Sequence, residues 1–264
     1  MPMTLTNEAL GYAAQSVAGR VREHNEDAVL CCPELNLWAL ADGMGGHQCG
    51  EVASAIALAT LREVTAYGED LVAAIHAANT AILMAAEQDS GGRGMGTTVV
   101  AAKFAGADFE VAWIGDSRAY RVGTDGISPL TRDHSWVQAM MDAGEMSAEQ
   151  ARSHPRRNIV TQCLGQVEQA LEVGLVRGTL EPGELLLMCS DGLTGELTDQ
   201  QIQQLCATAG TLDGLVAQLI ELANNMGGKD NISCIVLGRS VAEQPIVEAR
   251  PRSFLRKLLK PLKH

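Results

Sequence analysis

Several apolar stretches of this chain meet a single aspartate at the point where the stretch stops or starts. "LWALADGM" runs into Asp42, "EVAWIGDS" into Asp116 and "ELLLMCSDG" into Asp191, while Asp230 stands just ahead of the apolar run in "GGKDNISCIVL". One Asp-Gly pair is an ordinary turn former. Carboxylates at the rims of so many predicted strands ask for more, because a fold that brings those rims together also brings their charges together. Two unit charges about 4 Å apart repel by roughly 1 kcal/mol in water, and by several times that beside low-dielectric walls. Convergence of these strand ends therefore calls for a cation, which narrows the architectures open to the chain.

All-oxygen ligands, with no thiolate or paired imidazole among them, favour hard ions such as Mg²⁺ or Mn²⁺ over zinc. Gly43, directly after Asp42, has no Cβ and would let its carbonyl approach an ion closely. Two such ions about 3.5 to 4 Å apart can share and activate one water for attack on phosphorus or a carbonyl carbon. An anionic substrate also needs a positive partner. Arg22 in "GRVREHNED" is the candidate, since guanidinium matches phosphate in bidentate fashion.

Alternating or apolar runs bounded by turn residues predict strands at about 12 to 18, 28 to 32, 36 to 41, 97 to 104, 109 to 114, 117 to 122, 172 to 177, 185 to 190 and 231 to 237. "RVGTDGISPL" reads as a hairpin tip. Helices are predicted from about Glu51 to Val64 and on the Leu71, Ile75, Ala78, Ile82 repeat. Thr198 and Gln201 form a capping box ahead of Ile202 and Leu205, and Leu215, Leu219 and Leu222 mark a further helix. Strands, a helix pair, strands, and a second helix pair do not make the regular alternation of a doubly wound sheet. The pattern predicts an α+β fold of two mainly antiparallel sheets flanked by helix pairs.

Residues 133–158 are polar, contain Gly144 and Pro155, and interrupt the strand series. They are expected to form a partly helical excursion over one end of the sheets. Beyond Gly238 the chain is broken by prolines and turns basic, so residues 240–264 read as a tail and 1–10 as an N-terminal extension. "GGRGMGTT" lacks the lysine of a phosphate loop and precedes a predicted strand. It is a lead into that strand.

With 264 residues, 46% of them hydrophobic, the chain can bury a sizeable core. Its 32 acids against 20 bases give a net charge of -12, which offers no nucleic-acid surface. Seven scattered cysteines without C-x-x-C spacing read as reduced thiols. No leader pattern opens the sequence and no apolar run is long enough to span a bilayer, so a cytoplasmic monomer is expected. The tail from Arg250 to His264 mixes basic and apolar residues, suited to docking on a partner or an anionic membrane surface. A solvated end is the alternative.

The segments "GRVREHNEDAVL", "LWALADGMGGHQCGEVAS", "MGTTVVAA", "AWIGDSRAYRV", "LTRDHSWV", "RNIVTQCLG", "LLLMCSDGLTGELTD" and "GGKDNISCIVL" follow one another over about residues 11–239. Together they resemble the metal-dependent protein phosphatases of the PPM (type 2C) family, in its bacterial branch. The resemblance implies a single-domain four-layer α/β/β/α sandwich that hydrolyses phosphoserine and phosphothreonine in proteins at a binuclear Mn²⁺ or Mg²⁺ centre. Its partners would be phosphorylated proteins, with a Hanks-type Ser/Thr kinase as its antagonist. By the same resemblance Asp42 bridges the ions, the Gly43 carbonyl binds one, and Asp191 and Asp230 complete the other. Arg22 matches the phosphate-binding arginine, and Asp116 with Asp191 matches a third, looser site. Glu26, Asp27 and Asn231 act behind these ligands, through metal-bound waters, and residues 133–158 become a flap beside the active site.

One position departs from the pattern. Animal relatives carry a histidine after the bridging Asp-Gly pair, proposed as general acid, where this chain has Met44. His47 is a candidate donor in its place, with a structural role as the alternative. Two rivals accompany the phosphatase reading: an inactive relative that only binds phosphoproteins or a kinase, and a partner-switching phosphatase acting on one regulator.

Overall fold

The strand Leu37–Met44 is apolar on both faces, and a strand of that kind must be covered on both. Leu37, Ala39 and Ala41 face a helix pair, whereas Trp38 and Leu40 face a second sheet. That double demand generates the layers. The structure, a computed structural model, describes residues 10–45, 49–88, 94–166 and 170–239. His47, residues 1–9 of the N-terminal extension and the tail at 240–264 lie outside the described residues.

In chain order the strands are β1 (Leu10–Val17), β2 (Asp27–Cys32), β3 (Leu37–Met44), β4 (Gly96–Thr97), β5 (Val99–Ala105), β6 (Asp108–Ile114), β7 (Arg118–Gly123), β8 (Gly126–Pro129), β9 (Gly174–Thr179), β10 (Leu185–Cys189) and β11 (Ile232–Arg239). The helices are α1 (Cys49–Ala66), α2 (Leu71–Gln88), α3 (Trp136–Asp142), α4 (Ala148–Ser153), α5 (Asp191–Thr194), α6 (Asp199–Thr208) and α7 (Leu212–Met226). One sheet has the order β1-β11-β10-β7-β8 and the other β2-β3-β5-β6-β9, with β4 paired to the end of β3. Every pairing is antiparallel.

Three apolar layers follow from the two-residue period of the strands. Between the sheets, Trp38, Leu40, Val100, Ala102, Val111 and Trp113 meet Leu186, Met188, Ile235 and Leu237. Outside one sheet, Val99, Ala101, Ala112 and Ile114 pack on α1 and α2 through Leu61, Ile75, Ala78 and Ile82. Outside the other, Leu187, Cys189, Cys234 and Val236 pack on Ile202, Leu215 and Leu219 of α6 and α7. This is the four-layer α/β/β/α sandwich, as expected.

The Thr198 capping box forms as its sequence predicts, with Gln201 N–H on Thr198 Oγ1 at 3.2 Å and Thr198 N–H on Gln201 Oε1 at 2.9 Å. "RVGTDGISPL" is indeed a hairpin, closing with Gly123 opposite Gly126. The excursion carries the short helices α3 and α4. One strand differs from expectation: the run at 97 to 104 is interrupted at Thr98, so that Gly96 and Thr97 pair with the tip of β3 and Val99 onward pairs with its body. The cause is a set of bonds to Asp42 described below.

Leu186 is fully buried in the layer between the sheets. Leu186→Ala should lower the unfolding free energy by about 2 to 5 kcal/mol, whereas Tyr67→Ala, at a residue 81% exposed, should stay within about 0.5 kcal/mol. Urea titrations of both variants provide the measurement.

Candidate metal centre

The acids lie where the chain enters or leaves the sheets, at one end of the sandwich. Asp42 sits in β3 next to its tip and Asp27 opens β2, directly opposite it in the ladder. Asp116 lies in the link from β6 to β7, which crosses from one sheet to the other. Asp191 starts α5 two residues after β10, and Asp230 precedes β11. Asp191 comes within hydrogen-bonding reach of Asp42, and its charge acts on Asp42, Asp27 and Asp116 alike. The strand-end acids therefore lie near enough to act on one another's charge.

Local hydrogen bonds fix each of them. The Asp42 carbonyl accepts from Thr98 N–H and Thr97 Oγ1, both at 2.9 Å, while Asp42 N–H donates to Thr98 Oγ1 at 3.2 Å. These threonines take the place of a regular ladder, which is why the strand breaks at Thr98. Asn231 holds the loop that carries Arg22 and Glu26: its Oδ1 accepts from Glu26 N–H at 2.8 Å, and its Nδ2 donates to the carbonyls of His24 at 2.8 Å and Ala18 at 3.1 Å. Gly43 N–H donates to Glu26 O at 3.2 Å. A Cβ on Gly43 would collide with the carbonyl oxygens of Gly50 and Glu26, so α1 and the Glu26 loop press on β3 where only glycine fits.

Arg22 Nη2 donates to Asp230 Oδ2 at 2.8 Å. The pair is open to water, with side chains 54% and 32% exposed, so it is screened and easily exchanged. On the other side of the cluster Arg118 binds Asp133 through Nε and Nη2, at 2.8 and 2.7 Å. Asp133 and Arg118 both act electrostatically on Asp116. Sequence reasoning passed over this pair and the two threonines. The "DSR" and "RDH" tripeptides hold its signal, but 15 residues separate the partners.

Burial, reinforced by neighbouring charges, raises the carboxyl pKa of Asp42 and Asp116 well above the ordinary range, that of Asp27 to about 7 and that of Asp191 to about 6. Burial also raises Glu26. One oxygen of Asp27, Oδ1, is buried without a hydrogen-bond partner. His134 is held in a local role, its Nδ1 accepting from Gly115 N–H at 3.2 Å while its own N–H donates to Gly115 O at 2.8 Å. A cavity of about 550 Å³ adjoins the cluster, bounded by Asp116 and Asp191, by Val137 and Met141 of α3, and by Arg152 and Arg157.

The family model for protein phosphatase 2C matches residues 18–234. The chain belongs to that family. The serine/threonine protein phosphatase PstP of Mycobacterium tuberculosis is 38% identical over 233 residues, covering 86% of this chain and 44% of that protein, so this chain spans less than half of that relative. The serine/threonine phosphatase stp of Listeria innocua is 36% identical over 239 residues, covering 86% of this chain and 94% of that one. The crystal structure of the catalytic domain of PstP in complex with two manganese ions matches with a TM-score of 0.79 at 34% identity, covering 88% of this chain and 99% of that chain.

Protein phosphatase 2C members depend on divalent metal ions, and the residues here fit one. An oxygen-only donor set, mutually repelling carboxylates and an orphaned carboxylate oxygen all suit a hard cation. Among the described residues no three acidic, histidine or cysteine side chains close on one point as a complete cage. Hard ions such as Mg²⁺ do not need one, since they keep several waters and take one or two carboxylates. Among the described residues no helix is long and apolar enough to cross a membrane.

The raised carboxyl pKa values predict the pH response of the chelated protein. A carboxyl group whose folded-state pKa lies above its unfolded value stabilises the fold below the unfolded pKa and loses that contribution as pH rises through the folded one. For Asp27 the loss runs from 3.8 to about 7. In EDTA the melting temperature should therefore fall as pH rises from about 5 to 8, and Mn²⁺ should restore most at the alkaline end, where the ligands are ionised. Scanning calorimetry with and without Mn²⁺ measures both slopes.

Proposed function

We propose that this chain is a protein serine/threonine phosphatase that hydrolyses phosphoserine and phosphothreonine with a water activated at a binuclear Mn²⁺ or Mg²⁺ centre. The observation that carries this reading is the mutual charge interaction of Asp27, Asp42, Asp116, Asp191 and Asp230 at one end of the sandwich, with Arg22 on Asp230. The ions would be held by Asp42, the Gly43 carbonyl, Asp191 and Asp230, with bound waters completing their shells. Asp116 with Asp191 offers a third, looser position. Glu26, Asp27 and Asn231 orient waters and loop around these ligands.

When bound, such ions supply Lewis acidity and a water of lowered pKa. The reaction joins a water oxygen to phosphorus, breaks the bond from phosphorus to the serine or threonine oxygen, and returns a proton to that oxygen. Arg22 has donors to spare, since only Nη2 is engaged by Asp230. It therefore turns its remaining N–H groups to the phosphoryl oxygens and fixes the group in line. Met44 cannot supply the proton. His47 or a solvent water does so.

The cavity beside Asp116 and Asp191 receives the substrate chain, with Val137 and Met141 offering apolar contact and Arg152 and Arg157 offering charge. The kinase that makes the phosphoproteins is the natural antagonist. Phosphate release from a phosphothreonine peptide should require Mn²⁺ or Mg²⁺, stop in EDTA, and be lost in Asp191→Asn. Release that persists in EDTA, or in that variant, would overturn the proposal. Arg22→Ala should reduce kcat/KM by about 10- to 100-fold, equivalent to the roughly 1.5 to 3 kcal/mol of a hydrogen bond to a charged group. Steady-state kinetics at saturating Mn²⁺ gives the value.

A further inference from the structure

The apolar layer between the sheets gives way to hydroxyl groups at the end nearest the acids. Ser190 Oγ, fully buried after β10, donates to Asp27 Oδ2 at 2.8 Å. Ser233 of β11, also fully buried, donates its N–H to Ser190 Oγ at 3.0 Å and accepts Ser190 N–H on its carbonyl at 3.1 Å. Accepting a bond from Ser233 leaves the Ser190 hydroxyl hydrogen for Asp27. Ser233 Oγ then donates to Ser16 Oγ of β1 at 2.7 Å, and Asn25 Nδ2 donates to the same oxygen at 2.7 Å. Asn25 Oδ1 finally accepts from Asp27 N–H at 3.3 Å.

The path is a closed ring. It leaves Asp27 through its carboxylate, passes Ser190, Ser233, Ser16 and Asn25, and returns to Asp27 through its backbone. Asp27 belongs to one sheet, whereas Ser16 and Ser233 belong to the other. An apolar filling of the same space would have avoided the cost of burying these dipoles. What the hydroxyls add is direction: Oδ2 of Asp27 is fixed, and Oδ1, buried and unpartnered, is left as the acceptor available opposite Asp42.

We propose that Ser190 and Ser233 are positioning residues, holding Asp27 across the gap between the sheets so that its second oxygen serves the metal centre. This rests on the functional reading above for the identity of the ion. Neither serine touches substrate or ion; both act through Asp27. Ser190→Ala opens the ring at the carboxylate, and Ser233→Ala opens it at Ser16.

The test uses the full chain and Mn²⁺ alone as probe, with binding followed by calorimetry. Ser190→Ala should weaken Mn²⁺ binding by about 10-fold, the lower end of what loss of an outer-shell partner brings, and Ser233→Ala should weaken it in the same direction. In EDTA both variants should melt within about 4 °C of the parent, as expected for a small change in a chain of this size. Added to Asp27→Asn, Ser190→Ala should change the dissociation constant by less than about 2-fold, because residues of one network are not additive. A dissociation constant unchanged in either folded serine variant, or a loss that adds in full to that of Asp27→Asn, would sink the proposal. A parent chain that binds Mn²⁺ but releases no phosphate from a phosphothreonine peptide would defeat the functional reading while leaving this test intact.

Discussion

Asp27 faces Asp42 across one ladder while Asp191 reaches Asp42 from the opposite sheet, so the backbone holds like charges closer than they would rest by themselves. The stability to impose this comes from elsewhere. Three apolar layers, each built from alternating strand residues and a helix pair or a second sheet, fix the positions of the strand ends before any charge is considered. The acids then inherit a geometry they oppose. Burial raises their pKa values first and mutual repulsion adds to it, and a divalent cation is the simplest group that offsets both.

Most of the layers could be read from the chain because strands buried on both faces leave apolar runs that stop abruptly. Asp42, Asp116 and Asp191 stand out for the same reason: each breaks a run. Asp27 opens a strand and breaks no run, so only the family resemblance pointed to it, and the register sets it opposite Asp42. Thr97 and Thr98 gave no warning that they would interrupt a strand. Their hydroxyl and amide bonds to Asp42 join residues more than 50 positions apart, and local pattern carries no trace of such a bond. The pair Arg118 and Asp133 was hidden by distance along the chain. The serines around Asp27 were hidden by their plainness, because an isolated serine in a strand pattern reads as nothing in particular.

The excursion over the sheets shows how little sequence polarity says about packing. Trp136 lies against His154, with ring centroids 4.9 Å apart, and carries Arg156 over its face at 5.1 Å. Trp136 and Arg156 are thus occupied by one another, and Met141, Arg152 and Arg157 line the cavity instead. Two residues that look alike in a string, Arg156 and Arg157, have different tasks because one has an aromatic ring beneath it.

The close contact of Gly43 with Gly50 has an electrical side. It brings the first turn of α1 against the Glu26 loop, so that a Cβ on Gly50 would lie 2.8 Å from the Glu26 carboxyl carbon. The amide end of a helix carries about half a positive elementary charge. Here that fraction is welded to the backbone and cannot be stripped by a chelator or diluted by dialysis. The Glu26 carboxyl therefore keeps the opening turn of α1 against it whether or not an ion is bound.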